Sequence, residues 1–199
     1  MSLVRIQAAP PIRLIPLSGT RSGYTMELVV LVDESNNELG TRPKDDVHST
    51  HTPLHRGFSL FLFNSKHELL ITRRAHTKKT FPGVWTNTVC GHPGPGEIAV
   101  DAAKRRLKEE MGIGGVDVKE VSPYRYRFAD IHGIVENEIC PILVATADVK
   151  PKINEREVAG WKWIPWKNFL TEIQLNPSSY SPWCIEEAEI IKKLNLLNG

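Results

Sequence analysis

The run GHPGPGEIAVDAAKRRLKEEMGI, from Gly91 to Ile113, limits what this chain can fold into more than any other segment. Ala99, Ala103, Leu107 and Met111 recur every four residues, the stripe of an amphipathic helix facing a core. Gly94, Pro95 and Gly96 predict a turn before that helix, and Gly112, Gly114 and Gly115 stop it. Arg106 and Glu110 stand four apart and share a helix face. Taken alone, such a pair is an ordinary surface salt bridge. The longer pattern argues for more: a glycine, five residues, Glu97, seven residues, then Arg105 through Ile113 without a break.

This loop–helix–loop pattern resembles the Nudix box, which in that family holds a magnesium ion against a diphosphate. One position departs from the family pattern. The residue after Arg105 is usually Glu, and here it is Arg106. Exchange of a carboxylate for a guanidinium implies a diphosphate that is held and not cut.

At 199 residues the chain is long enough for one domain with a real core. A net charge of +2 argues against a general nucleic-acid binder, so affinity for anions must come from local clusters. The three cysteines, Cys90, Cys140 and Cys184, have no zinc-type spacing. They fit free thiols in a reducing, cytoplasmic compartment. No apolar run is long enough to span a membrane. Residues 1–26 carry Arg5, Arg13 and Arg21 and no acid before Glu27. Pro10, Pro11 and Pro16 spoil the amphipathic helix of a transit peptide, so 1–26 reads as an N-terminal extension to a domain spanning 27–199.

Strands are expected from Glu27 to Val32, Phe58 to Phe63, Glu68 to Arg73, Trp85 to Val89, Tyr124 to Phe128, Ile134 to Ile139, Ile142 to Ala147 and Val158 to Ile164. The second and third form a hairpin around Asn64-Ser65-Lys66. Ser181 and Pro182 read as the N-cap and first turn of a helix with Ile185, Ala188, Ile191 and Leu194 on one side. The fold class is α/β, a mixed β-sheet sandwiched between α-helices.

Glu136 and Glu138, two apart on a strand, project from one face. His48, His55 and His92 together with them would suit zinc, manganese or magnesium, but spacing alone does not choose among seven histidines, and a lone His is more often a surface or satisfied core residue. His51, His67, His76 and His132 read as surface residues. Cys90, at a strand end and two residues from His92, is a candidate acid or base. Cys140 and Cys184 read as core. Arg73, Arg74, Lys78 and Lys79, with Lys44 and Arg106 elsewhere, could ring a diphosphate.

Together these pieces resemble the type I isopentenyl-diphosphate isomerases, a Nudix-fold family. The resemblance rests on Thr72-Arg-Arg-Ala75, Lys78-Lys79, Pro82-Gly-Val-Trp-Thr-Asn87, Val89-Cys-Gly-His-Pro93, Gly133-Ile-Val-Glu-Asn-Glu138 and Ser181-Pro-Trp183. It implies Cys90 and Glu138 as catalytic groups, Tyr126 beside the glutamate, and Trp183 over the hydrocarbon. It implies His48, His55, His92, Glu136 and Glu138 as ligands of a protein-bound manganese, zinc or magnesium. Glu110 corresponds to the carboxylate that helps hold a magnesium arriving with substrate. Lys44, Arg74, Lys78 and Arg106 correspond to diphosphate contacts. The implied partner is a small prenyl diphosphate, with no nucleic acid and no membrane, and the implied state a monomer or weak dimer. A Nudix diphosphate hydrolase and a non-enzymatic binding module are the competing readings.

Overall fold

A computed structural model describes residues 26–196, so the expected extension lies outside the described residues except for Met26. The elements are β1 Leu28–Val32, β2 Glu38–Pro43, α1 Lys44–Val47, β3 His55–Arg56, β4 Phe58–Phe63, β5 Glu68–Arg74, β6 Trp85–Thr86, β7 Val89–Gly91, α2 Ala99–Met111, β8 Val118–Ser122, β9 Arg125–Ala129, β10 Val135–Ile139, β11 Ile142–Thr146, β12 Val158–Pro165, α3 Trp166–Leu175 and α4 Pro182–Leu194.

Strand β4 is apolar at five of its six positions and buried at all six. A strand of that kind needs cover on both faces. Phe58, Leu60 and Leu62 pack with Ala102, Ala103, Leu107 and Met111 of α2. Phe61 and Phe63 turn the other way, toward Phe169 and Ile173 of α3 and Trp183, Ala188 and Ile191 of α4. Each large side chain so buried contributes about 1.5–3 kcal/mol. The sheet around β4 runs β12-β5-β4-β11-β8, with β6 beside β5 and β7 beside β4. It is mixed, since β11 pairs parallel with β4 and β12 pairs antiparallel with β5. The expected helix–sheet–helix layering therefore holds.

A second sheet, β2-β1-β3-β10-β9, carries half of the site. The two sheets join along one parallel seam. Glu138 pairs with His55, the Gly57 amide donates to the Ile139 carbonyl, and the Ser59 amide donates to the Pro141 carbonyl. Beyond Pro141 the chain enters the larger sheet as β11. The two strands expected at Ile134 to Ile139 and Ile142 to Ala147 thus lie in different sheets, and Pro141, with no amide hydrogen to donate, stands where the chain changes over.

Other boundaries shift as well. The strand expected from Trp85 to Val89 divides into β6 and β7 because Asn87 and Thr88 turn side chains inward between them. Asn87 donates to the Leu60 and Val89 carbonyls, and Thr88 donates to the Leu70 carbonyl. Ser181 occupies the N-cap position of α4, yet its hydroxyl pairs with Thr86 instead of capping the helix. Leu194 is exposed at the frayed end of α4, while Trp183, Cys184 and Glu187 are buried on its inner face. Sequence reading does not anticipate β2, β8, α1 or α3. The mostly exposed ELGTRP of β2 has no apolar alternation, and α1 spans a single turn.

Candidate active site

The register of three strands helps bring together a cluster that could hold a metal ion. Glu136 and Glu138 point from one face of β10, His55 sits opposite Glu138 on β3, and Tyr126 of β9 pairs with Glu138 on the other side. His48 follows α1, and His92 follows β7. Their ligand atoms all lie within 4.8 Å of one another. His48 Nε2 lies 2.9 Å from Glu136 Oε2, and His92 Nε2 lies 3.0 Å from Glu138 Oε1. His55 Nε2 lies 3.4 Å from the same Glu138 oxygen. His51, His67, His76 and His132 are exposed and stand outside this group.

The donor set fits a divalent cation. His55 Nδ1 is 2.8 Å from the Pro53 carbonyl, which fixes the tautomer and leaves the Nε2 lone pair facing the cluster. That buried Nε2 has no hydrogen-bond partner. Two ligands across an ion at ~2.1 Å each are ~4.2 Å apart, so the cluster needs only slight closure. Burial pushes His92 down to about 4 against the pull of the Glu138 carboxylate, so it stands neutral and able to ligate. Burial also works to raise Glu138, but the neighbouring His55 and His92 imidazoles outweigh it and hold the carboxyl well below its usual range.

Cys90 lines a cavity that Glu138 also lines. Its Sγ donates to Asn87 Oδ1 at 2.9 Å and lies 3.6 Å from Ser59 Oγ. Burial, then the Glu187 carboxyl group, pushes the thiol up to about 12. The free protein therefore pairs a thiol that keeps its proton with an ionised carboxylate. Trp183 and Tyr126 stack at 5.7 Å, Phe81 meets Trp183 edge-on at 5.0 Å, and the Arg74 guanidinium lies 5.5 Å from the Trp183 ring centroid.

Cations gather around the same cavity. Arg106 and Glu110, which read alone as a surface pair, are both buried. Arg106 donates to Glu110 Oε1 at 2.6 and 3.0 Å and also meets Glu157, Glu27 and Glu109. Burial opposes its charge, but Glu110, Glu157 and Glu27 outweigh it and raise the guanidinium further. Lys44 pairs with Glu27 at 2.6 Å, and Lys78 pairs with Glu157. Arg74 donates to the Thr80 and Phe81 carbonyls. Lys79 donates to the Asp45 carbonyl, and Arg73 to that of Gly83.

One cavity of about 360 Å³ joins these groups. Cys90, Glu138, Tyr126, Trp183, His48, His92 and Glu136 line it, as do Lys44, Arg74, Lys78 and Arg106. His55 and Glu110 support it from behind, through Glu138 and Arg106. Sequence reasoning missed Glu157, Thr80 and Glu187. Thr80 donates to Glu136, and Glu157 bridges Lys78 and Arg106. No local pattern marks those two. Glu187 did carry a signal, an acid one position from Ala188 and four from Trp183 on an inward face. Cys140, read as plain core, is indeed buried but lies 3.5 Å from Ser59 Oγ, which also meets Cys90.

Comparison with known proteins agrees with this geometry. Residues 53–184 match the NUDIX domain. A Saccharopolyspora erythraea protein named isopentenyl-diphosphate Delta-isomerase is 46% identical over 169 residues, covering 84% of this chain and 87% of the relative. Its namesake in Paenarthrobacter aurescens is 47% identical over 158 residues, covering 79% and 86%. Among solved structures, DR0079 of Deinococcus radiodurans matches with a TM-score of 0.67 at 20% identity, over 82% of this chain and 98% of that one. A MutT protein of Methanosarcina mazei matches at 0.61 and 17%, over 74% and 99%. At such identities these two structures speak to the fold alone. No helix among the described residues is long and apolar enough to cross a membrane. With a NUDIX domain over most of its length and isomerase relatives aligned nearly end to end, the chain belongs to the isopentenyl-diphosphate Delta-isomerase family of NUDIX-domain proteins.

Proposed function

We propose that this protein interconverts isopentenyl diphosphate and dimethylallyl diphosphate. The observation that carries the reading is a single cavity lined both by Cys90, Glu138, Tyr126 and Trp183 and by the cations Lys44, Arg74, Lys78 and Arg106. A short hydrocarbon on a diphosphate needs both kinds of lining. The diphosphate binds among the cations, and Glu110, behind Arg106, would help hold the magnesium that arrives with it, since magnesium favours phosphate oxygens and carboxylates.

The reaction adds a proton to the terminal alkene carbon, giving a tertiary carbocation, and removes one from C2. Cys90 and Glu138 are the donor and acceptor pair, one on each side of the substrate. An alkene is a very weak base, so the transfer needs a dry and fixed setting. Glu138 is buried, Cys90 is half-buried, and Asn87 holds the thiol in place. The Trp183 face stabilises the cation by about 0.5–2 kcal/mol. His48, His55, His92, Glu136 and Glu138 hold a resident manganese, zinc or magnesium, which supplies positive charge that fixes the Glu138 carboxylate and tunes its proton affinity. The test is incubation with isopentenyl diphosphate and magnesium, followed by proton and phosphorus NMR. Dimethylallyl diphosphate without phosphate release supports the reading, and phosphate release without that product replaces it with a hydrolase.

A further inference from the structure

Glu187 is a fully buried carboxyl group that the reaction as derived does not use. It stands four residues after Trp183 on α4, so both project toward the wall behind Cys90. Its Oε1 lies 4.0 Å from Cys140 Sγ, and its Oε2 has no hydrogen-bond partner among the described residues. Among the described residues no cation is paired with it: its charged neighbours are Glu138 and Glu186, and the Ser59 hydroxyl lies beside it. An unpaired carboxylate in such surroundings takes up a proton instead of staying ionised. Burial, and then those two carboxylates, raise it well above the ordinary range against the pull of Ser59.

Ser59 Oγ is also fully buried and lies 3.6 Å from Cys90 Sγ and 3.5 Å from Cys140 Sγ. A hydroxyl has one hydrogen to give. A neutral acid at Glu187 donates its O–H to Ser59 Oγ, which turns the Ser59 hydrogen toward Cys90. An ionised Glu187 would take that hydrogen for itself. On the far side Asn87 Oδ1 accepts from the thiol, and its amide is held in that orientation because Nδ2 donates to the Leu60 and Val89 carbonyls. When the thiol loses its proton, Ser59 is then already aimed at the sulfur, and a hydrogen bond to a developing anion is the strong kind.

We propose that Glu187 is a positioning residue for Cys90, acting through the Ser59 hydroxyl as a hydrogen-bond donor and not as a charge. The inference rests on the reading of Cys90 as a proton-transfer group. Glu187→Gln keeps the shape and a donor, whereas Glu187→Leu keeps the bulk and removes both. The Gln variant should hold kcat within about threefold, and the Leu variant should lose about 10–100-fold. KM should move less than about twofold in both, because Glu187 is not among the residues lining the cavity. Ser59→Ala should lose as much as Glu187→Leu, and the double variant no more than either.

A second readout needs no substrate. Iodoacetamide labelling of Cys90 at one fixed pH, mapped by mass spectrometry, should be slower in Glu187→Leu and unchanged in Glu187→Gln. Faster labelling in the Leu variant would mean that Glu187 acts as a negative charge and overturns the inference. So would wild-type kcat and labelling in that variant, or a Gln variant as impaired as Leu. A wild-type protein that forms no dimethylallyl diphosphate defeats the proposed function, and the labelling order still decides this inference.

Discussion

Replacing Arg106 with Met tests the buried charge cluster of the box helix. The Arg106 and Glu110 side chains are 7% and 8% exposed, and their closest N···O distance is 2.6 Å. Removing the guanidinium leaves Glu110 buried with no ion-pair partner among the described residues. Glu157 keeps Lys78, and Glu27, 44% exposed, keeps Lys44 and contributes little. Breaking a buried pair from one side costs about 3–5 kcal/mol. At this chain length about 1 kcal/mol shifts Tm by roughly 2–4 °C, so Arg106→Met should melt roughly 6–20 °C lower. The size of the loss has a specific cause, the stranded Glu110 carboxylate. Adding Glu110→Gln to Arg106→Met should therefore recover a large part of it. Differential scanning calorimetry on the wild type, both single variants and the double variant closes the cycle. A shift under 2 °C for Arg106→Met, or no recovery in the double variant, refutes the reasoning.

Cys90→Ala and Glu138→Gln should each lower kcat by at least about 10²–10⁴-fold while substrate still binds, whereas Cys140→Ala and Cys184→Ala stay near wild type, all read by product formation. His55→Ala should lower the transition-metal content of the purified protein, and Glu110→Gln should leave that content intact but weaken magnesium-dependent substrate binding, as elemental analysis and titration calorimetry will tell. In the chelator-treated protein the His92 value of about 4 lies below the unfolded value, so stability should fall by about 3 kcal/mol as pH drops from ~6.5 to ~4. His55 is raised, burial being outweighed by Glu138, so its contribution is present at low pH and is lost as pH rises through its folded value. Melting temperature plotted against pH should accordingly be flatter for His92→Asn between pH ~4 and ~6.5, and flatter for His55→Asn above pH ~6.5.

Much of this site is legible in the chain because its parts are local. Glu136 and Glu138 need only a strand to share a face, and the box helix announces itself through Ala99, Ala103, Leu107 and Met111. The flanking glycines and the Cys-Gly-His-Pro turn fix where that helix starts. What the chain conceals depends on long-range register. His48 and His55 come within reach of Glu136 and Glu138 because β3 pairs parallel with β10. The division into two sheets turns on Pro141, a single missing donor. Glu157 meets Lys78 and Arg106 because the loop before β12 is tied to the end of α2, where Lys152 and Asn154 donate to the Met111 and Glu110 carbonyls. Arg106 looks like a solvated helix charge until four acidic residues from three parts of the chain surround it.

The central claim is that a proton enters at one carbon of the substrate from the protein and another leaves elsewhere. Running the reaction in heavy water with magnesium and isopentenyl diphosphate, and following early product by NMR, tests it most directly. Cys90 exchanges its proton with solvent before turnover, so the account predicts deuterium in a methyl group of dimethylallyl diphosphate with the diphosphate intact. Product whose methyl carries only substrate hydrogen would mean direct internal transfer and would contradict the two-group mechanism.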